Sequence, residues 1–202
     1  ETIVSTCDSD GKPNAAPMGI EIKDTDNLFI RPYLSSLTYK NIKATKSAVV
    51  NLTFDTQLFY TTAFKEVNSD GKLSSNLFET AKTVSAPRLK CAKAIVEVSV
   101  KEIRCLGPDR AEFLCEVKHV KSEKITPQVY CRAQFATIEA IIHTTRIELY
   151  LKGNDQQQKH AVKLLELVDY CQDVVNRTAP NSVYSEIMTD LTRRIDSWRR
   201  FN

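Results

Sequence analysis

Hydroxyl side chains crowd one short stretch of this chain, at Ser35, Ser36 and Thr38, with Arg31 just before them and Lys40 just after. Serine and threonine immediately ahead of a helical pattern cap its first turn, because a side-chain oxygen can accept an orphan backbone N–H. Such a helix start, dressed with hydroxyls and flanked by cations, is chemically suited to a phosphate. Capping alone accounts for most starts of this kind, and from the stretch by itself capping is the favoured reading.

The elements that must position these groups are legible on either side. Leu28–Tyr33 reads as a strand delivering the chain to the turn, and a second strand, Ala48–Thr53, follows almost at once. Between them lies a short helical pattern with Leu37, Ile42 and Ala44 as its apolar members and Lys40, Lys43 and Lys46 on the wet side. Asn14-Ala-Ala-Pro-Met-Gly19, within an extended segment Asn14–Lys23, is a poor strand former. Pro17 withholds a ladder hydrogen bond, which points to an edge strand or a bulge. The competing reading is a flat ligand lying against exposed backbone, with Gly19 allowing close approach.

The chain opens on an alternating strand, Glu1–Cys7, and turns at Asp8-Ser-Asp-Gly11. Asp55–Phe64 reads as a short helix capped by Asp55 or Thr56, and Lys65–Ser75 as a surface loop. Asn76–Val84 has no clear period, and Pro87 ends what precedes it. In Ala92–Ile103, Ala94, Val96, Val98 and Val100 alternate with Lys93, Glu97, Ser99 and Lys101, and Arg110–Lys121 alternates likewise across Gly107-Pro-Asp109. This predicts an antiparallel hairpin with one buried face and one wet face. Helical spacing then takes over in Arg132–Arg146, in Asp155–Arg177 (stripe Ala161, Leu164, Leu165, Val168, Cys171, Val175), and after Ser182 (Val183, Ile187, Leu191, Ile195, Trp198). The fold class expected is mainly β with α: about six or more antiparallel strands in a small barrel or sandwich, followed by C-terminal helices. Strands and long helices do not alternate, which argues against a doubly wound parallel sheet.

Composition narrows the function. A net charge of +3 over 202 residues is too small for a nucleic-acid binder, and no apolar run reaches membrane-spanning length. No secretory leader is visible, and a cytoplasmic location is expected. The six cysteines form no C-x-x-C pair and stand at no ligand spacing with His119, His143 or His160, so no metal site is expected. Cys115 and Cys171 fall on apolar phases, as small buried hydrophobes of a reducing compartment do. The Asn51-Leu-Thr53 and Asn176-Arg-Thr178 glycosylation patterns are read as chance.

Several blocks carry a resemblance: Glu1-Thr-Ile-Val-Ser-Thr, the turn at Gly11, Asn14-Ala-Ala-Pro-Met-Gly19, Thr38-Tyr-Lys-Asn-Ile42, Ala48-Val-Val-Asn51, Pro87-Arg-Leu-Lys90 and Ile138-Glu-Ala-Ile-Ile-His-Thr-Thr-Arg146. In this order they resemble an archaeal and bacterial family of unknown function with the split β-barrel fold of FMN-binding flavoproteins, related to flavin reductase-like and pyridoxamine-phosphate-oxidase-like proteins. The chain departs from that family's pattern at Ser35–Leu37, where the pattern has glycine and arginine. The resemblance implies a split β-barrel over residues 1–130 and a helical region over 131–202 packed on it. It implies FMN held without a covalent bond at a homodimer interface, with no nucleic-acid or membrane partner. The backbone of Ala16, Pro17, Met18 and Gly19 would lie along the isoalloxazine edge. Ser35, Ser36, Thr38 and Tyr39 would take the phosphate with help from Arg31, and Asn51 and Thr53 would reach the ring or the ribityl chain. Given the resemblance, phosphate contact outweighs simple capping for Ser36 and Thr38. For Asn51 a strand-end side chain bonding a turn is an equal alternative.

His143 and Arg146 can share one helix face, as a contact to the partner's flavin or, the favoured reading, in helix-surface hydrogen bonds. The arginines at 193, 194, 199 and 200 read as a solvated basic face rather than an anion site. The leading function is an FMN-dependent oxidoreductase of the flavin reductase type, fed transiently by NADH or NADPH, with no catalytic acid or base announced. The alternatives are a flavin carrier without turnover, and a structural interaction module with no flavin.

Overall fold

Gly19 parts two strands that stand on opposite edges of one sheet. The structure is a computed structural model that describes residues 1–124, 126 and 128–200. Its strands are β1 (Thr2–Cys7), β2 (Pro13–Met18), β3 (Ile20–Ile22), β4 (Asn27–Ile30), β5 (Ser47–Leu52), β6 (Phe78–Glu79), β7 (Arg88–Leu89), β8 (Ala94–Leu106) and β9 (Arg110–Ser122). The helices are α1 (Leu37–Thr45), α2 (Thr56–Ala63), α3 (Arg132–Leu151), α4 (Asp155–Thr178) and α5 (Val183–Arg200). The main sheet runs β2-β1-β5-β8-β9-β4-β3, and its pairs are antiparallel. With a single residue between β2 and β3, the two outer strands cannot be more than about 7 Å apart at that point. The sheet must therefore curl into a barrel. One extended segment, expected from sequence as a single strand, supplies both edges. Pro17 lies on the outer strand β2, where its missing N–H leaves no interior ladder broken.

The chain divides into two compact units, Glu1–Thr53 with Phe64–Thr126, and Phe54–Ala63 with Pro127–Asn202. In the first, Val4, Leu28, Ile30, Ile42, Ala48, Val50, Val98, Ala111, Phe113 and Cys115 form the barrel core. Phe113 is fully buried and meets the Tyr39 ring at 5.8 Å. Gly11 and Gly107 turn the chain at φ +79° and +70°, as the hairpin pattern requires.

Two buried faces differ from the sequence reading. On α1 the covered side is Thr38, Asn41 and Ile42, while Leu37 is 49% exposed and Ala44 is exposed. The reason is a polar contact: Asn41 Nδ2 donates to Thr6 Oγ1 at 3.0 Å, tying the helix to β1. On β8, register shifts between Glu97 and Val98 and between Val100 and Glu102 break the alternation, and Glu97 is 1% exposed rather than wet.

What covers Glu97 is the segment between β6 and β8, laid over the outward face of the sheet. Ser5 Oγ donates to the Pro87 carbonyl at 2.5 Å, and Cys7 Sγ approaches the Ser85 carbonyl at 3.4 Å. Ser47 Oγ lies 2.8 Å from Ser85 Oγ and accepts from the Ala86 amide at 3.2 Å. These outward polar groups bury both faces of β1. Such a strap is invisible to periodicity, because the polar residues that anchor it mimic a solvated face.

The second unit is helical. Asp55 Oδ1 caps α2 by accepting from the Leu58 amide at 3.0 Å, and Asn154 and Gln157 form a capping box on α4. Of the expected stripes, Ala161, Val168, Cys171, Val175, Ile187, Leu191 and Ile195 are buried, Leu164, Leu165 and Trp198 are half-buried and Val183 is 39% exposed, while Val174 and Met188 join the buried set. Tyr60 Oη on α2 donates to Asp190 Oδ2 at 2.5 Å, and Arg194 Nε reaches the same oxygen at 2.5 Å. Burial, with the Asp190 contact adding to it, pushes the Tyr60 phenol up to about 12. Among the described residues no helix is long and apolar enough to cross a membrane.

Candidate functional site

The start of α1 is built by bonds within the turn that precedes it. Ser36 adopts extended dihedrals, φ −72° and ψ 149°, and its Oγ accepts from the Tyr39 amide at 3.1 Å. The same hydroxyl donates to the Tyr33 carbonyl at 2.7 Å, so both its roles are taken by the cap. Leu37 and Thr38 contribute first-turn amides that have no carbonyl one turn earlier to bond. Thr38 is 2% exposed, and among the described residues its hydroxyl has no hydrogen-bond partner. Ser35 is exposed. Tyr39 turns its ring toward Phe113 and carries Lys43 Nζ 5.6 Å above it.

Arg31 and Arg110 stand on either side of Tyr33, where the chain enters this turn. Arg31 Nε donates to Glu112 at 2.8 Å, and its Nη1 is bonded to Glu21. Those bonds hold the Glu21 carboxyl below its ordinary value and raise the guanidinium further. Arg110 bridges Tyr33 across the barrel edge, lies 3.9 Å over the centre of its ring, and donates through Nη1 to the Arg31 carbonyl at 3.1 Å. The Leu34 amide is fixed to the Asp109 carbonyl at 2.9 Å.

Ala16, Pro17 and Met18 pair with Val4, Ile3 and Thr2 on the inner side of β2, and all three are half-buried. Their outer backbone edge has no neighbouring strand in the sheet order. Gly19 is exposed, and a Cβ there would meet only the end of the Glu1 side chain, at 3.2 Å. Asn51 is placed otherwise. It is 0% exposed, its Nδ2 donates to the Ile3 carbonyl and Ser5 Oγ at 2.9 Å each, and its Oδ1 accepts from the Leu89 amide at 2.8 Å. A ligand would have to break this network to reach it. Thr53 is half-buried just past the end of β5.

Sequence reasoning missed a polar cluster at the other end of β2. Lys65, inside the expected surface loop, donates Nζ to Asn14 Oδ1, and burial lowers its pKa. Asn14, Thr6 and Asn41 are each at most 3% exposed. A lysine in a polar loop carries no sequence signal for such a contact. His143 on α3 has a buried Nδ1 without a hydrogen-bond partner, and its Nε2 is 3.9 Å from Glu139. Burial lowers its pKa, which favours the neutral ring. Burial also pushes the Cys115 and Cys171 thiols up to about 12 and about 11, marking both as the inert buried residues expected.

The family of this chain is shown by sequence. A family described as "Protein of unknown function (DUF447) N-terminal domain" matches residues 1–139, and the chain belongs to it. Among solved structures it is similar to the FMN-bound protein MM1853 from Methanosarcina mazei, at 24% identity and TM-score 0.75, over 96% of this chain and 93% of that one. It is also similar to a flavoredoxin from Methanosarcina acetivorans, at 22% identity and TM-score 0.51, over 61% of this chain and 68% of that one. A Shewanella frigidimarina protein with a split-barrel domain matches at 15% identity and TM-score 0.52, over 66% of this chain and 73% of that one. No curated protein matches the chain. These likenesses establish the fold: a split barrel followed by helices, as the sequence resemblance implied.

Proposed function

We propose that this chain binds FMN non-covalently and serves as a flavin-dependent oxidoreductase, acting as a cytoplasmic homodimer with the flavin at the subunit interface. The observation that carries the reading is the first turn of α1, where unbonded amides meet the hydroxyl of Thr38, a residue 2% exposed whose Oγ1 has no hydrogen-bond partner among the described residues. An anion at the helix start would give these donors a charge-assisted partner. The fold shared with the FMN-bound MM1853 over 96% of the chain supports the same reading. Six free cysteines suit a reducing compartment.

The residues fit the group in kind. The Leu37 and Thr38 amides, Thr38 Oγ1 and the exposed Ser35 hydroxyl offer donors to a phosphate. The unpaired edge of β2 at Ala16–Gly19 offers backbone donors and acceptors to a flat ring. Asn51 acts as a strut behind this edge rather than as a contact. FMN supplies the electron chemistry when bound, and the protein's part is to hold it, orient it and set its access to solvent.

Thr38→Val keeps the side-chain shape and removes the hydroxyl. It is expected to weaken FMN binding by about tenfold while leaving riboflavin, which lacks the phosphate, unchanged. Ser36→Ala combined with Thr38→Ala should weaken FMN further and also lower stability by about 1 kcal/mol through the lost cap. Fluorescence titration with both flavins, beside a melting curve, reads these effects. An unchanged FMN affinity in the double variant contradicts the phosphate assignment. Oxidation of NADH or NADPH by the FMN-loaded protein separates an oxidoreductase from a carrier.

A further inference from the structure

We propose that Arg110, and not Arg31, supplies the positive charge for the phosphate at the start of α1. The inference rests on the FMN reading above and adds a residue that the sequence motifs did not indicate. Arg31 is the nearer candidate in sequence, but its charge is already committed. Its Nε and Nη1 each hold a carboxylate, Glu112 and Glu21. One guanidinium between two carboxylates leaves a local charge of −1, which repels a phosphate dianion.

Arg110 differs in each respect that matters. Among the described residues no carboxylate pairs with it. Its guanidinium carbon is held 3.9 Å from the centre of the Tyr33 ring, a stacking contact that fixes the plane without neutralising the charge. One bond, from Nη1 to the Arg31 carbonyl at 3.1 Å, anchors the group to backbone. A guanidinium has five N–H donors in a fork matched to oxyanions, so most of its donors remain for a ligand.

Its position follows from two ties between the hairpin and the turn and one bond within the turn. Tyr33 and Arg110 bridge, the Leu34 amide bonds the Asp109 carbonyl at 2.9 Å, and the Ser36 amide bonds the Tyr33 carbonyl at 3.0 Å. Bridged residues stand about 5 Å apart between Cα atoms. The Tyr33–Ser36 bond closes a turn whose ends lie within about 7 Å. The base of the Arg110 side chain is therefore close enough to the α1 cap for its head to reach an anion there. Ala111 and Phe113 are buried, so alternation along β9 places Arg110 on the outward face with Glu112 and its partner Arg31. The chain lacks arginine at Ser35–Leu37, and on this inference β9 contributes the cation from across the barrel edge.

The test compares FMN with riboflavin, by fluorescence titration, on wild-type protein and on the Arg110→Gln, Arg110→Lys and Arg31→Gln variants, each checked by melting. Arg110→Gln should weaken FMN by about tenfold or more and shift riboflavin by less than about twofold, because the lost contact is a charge-assisted one to the phosphate. Arg110→Lys should retain part of the FMN preference, and Arg31→Gln should reduce it less than Arg110→Gln does, because it unmasks two neighbouring carboxylates without removing the phosphate contact. An Arg110→Gln variant with the wild-type preference overturns the inference, as does a lysine variant no better than glutamine. Either of those results leaves FMN binding itself standing. A wild-type protein that binds neither flavin fails the underlying reading instead, and with it this inference.

Discussion

Replacing Asn51 with alanine is expected to destabilise the protein by about 3–5 kcal/mol, whether or not flavin is present. Its amide is fully buried and joins three segments: β1 through the Ile3 carbonyl and Ser5 Oγ, β5 itself, and β7 through the Leu89 amide. Alanine leaves the Leu89 N–H and the Ile3 carbonyl without the amide that bonded them. Each buried group left unsatisfied costs about 1–3 kcal/mol, and the vacated space adds to the loss. For a chain of 202 residues a loss of that size lowers the melting temperature by about 10 °C. Asn51→Asp should also destabilise, because it replaces two donors with an acceptor facing the Ile3 carbonyl. Thermal or urea unfolding of the flavin-free protein is the check. A variant as stable as wild type, but with reduced FMN affinity, would return Asn51 to the cofactor contact that the sequence resemblance implied.

Glu97 should be the residue through which acid loosens the barrel. Its Oε1 accepts from the Lys82 amide at 2.8 Å, and its Oε2 accepts from the Thr83 amide and the Thr83 hydroxyl at 2.6 Å each. Burial pushes the carboxyl up, but these three bonds, with the charge of His119 opposite it, outweigh burial and hold its pKa below the ordinary value. A carboxyl whose pKa is lower in the folded than in the unfolded chain stabilises fully above its unfolded value. That contribution is lost as pH falls through the folded value. Glu97→Gln removes the charge, and in either orientation of the amide its NH2 faces a backbone N–H. The loss at neutral pH is expected to be about 2–4 kcal/mol, shrinking toward zero as the wild-type carboxyl is protonated in acid. Hydrogen exchange at the Lys82 and Thr83 amides should rise with it. A wild-type minus variant difference that is flat between neutral pH and pH 3 would sink this account.

Much of the fold could be read from local chemistry. Ser36 and Asp55 cap the helices that they were expected to cap, Gly11 and Gly107 turn the chain, and Pro17 sits on an edge. Each of these depends on a neighbour a few residues away, which a sequence displays. What escaped reading depends on partners far along the chain. The two halves of Asn14–Lys23 separate to opposite edges because the sheet closes around them, and no local pattern records closure. Glu97 looks solvated because Lys93, Ser99 and Lys101 surround it in sequence, yet the 82–83 segment covers it. Asn41 brings the polar side of α1 inward because Thr6, on β1, answers it. The candidate site divides the same way. The helix start was visible in its hydroxyls. That Arg31 is held between Glu21 and Glu112, and that Arg110 stacks on Tyr33, are facts of pairing among the neighbouring strands β3, β4 and β9.

The central claim is that the first unit holds FMN, and the most direct measurement is a visible absorption spectrum of the purified protein. It should be taken as isolated, and again after incubation with FMN and removal of the excess. The account predicts a retained two-band flavin spectrum, lost when riboflavin replaces FMN at the same concentration and the same washing. A protein that stays colourless through both treatments contradicts it.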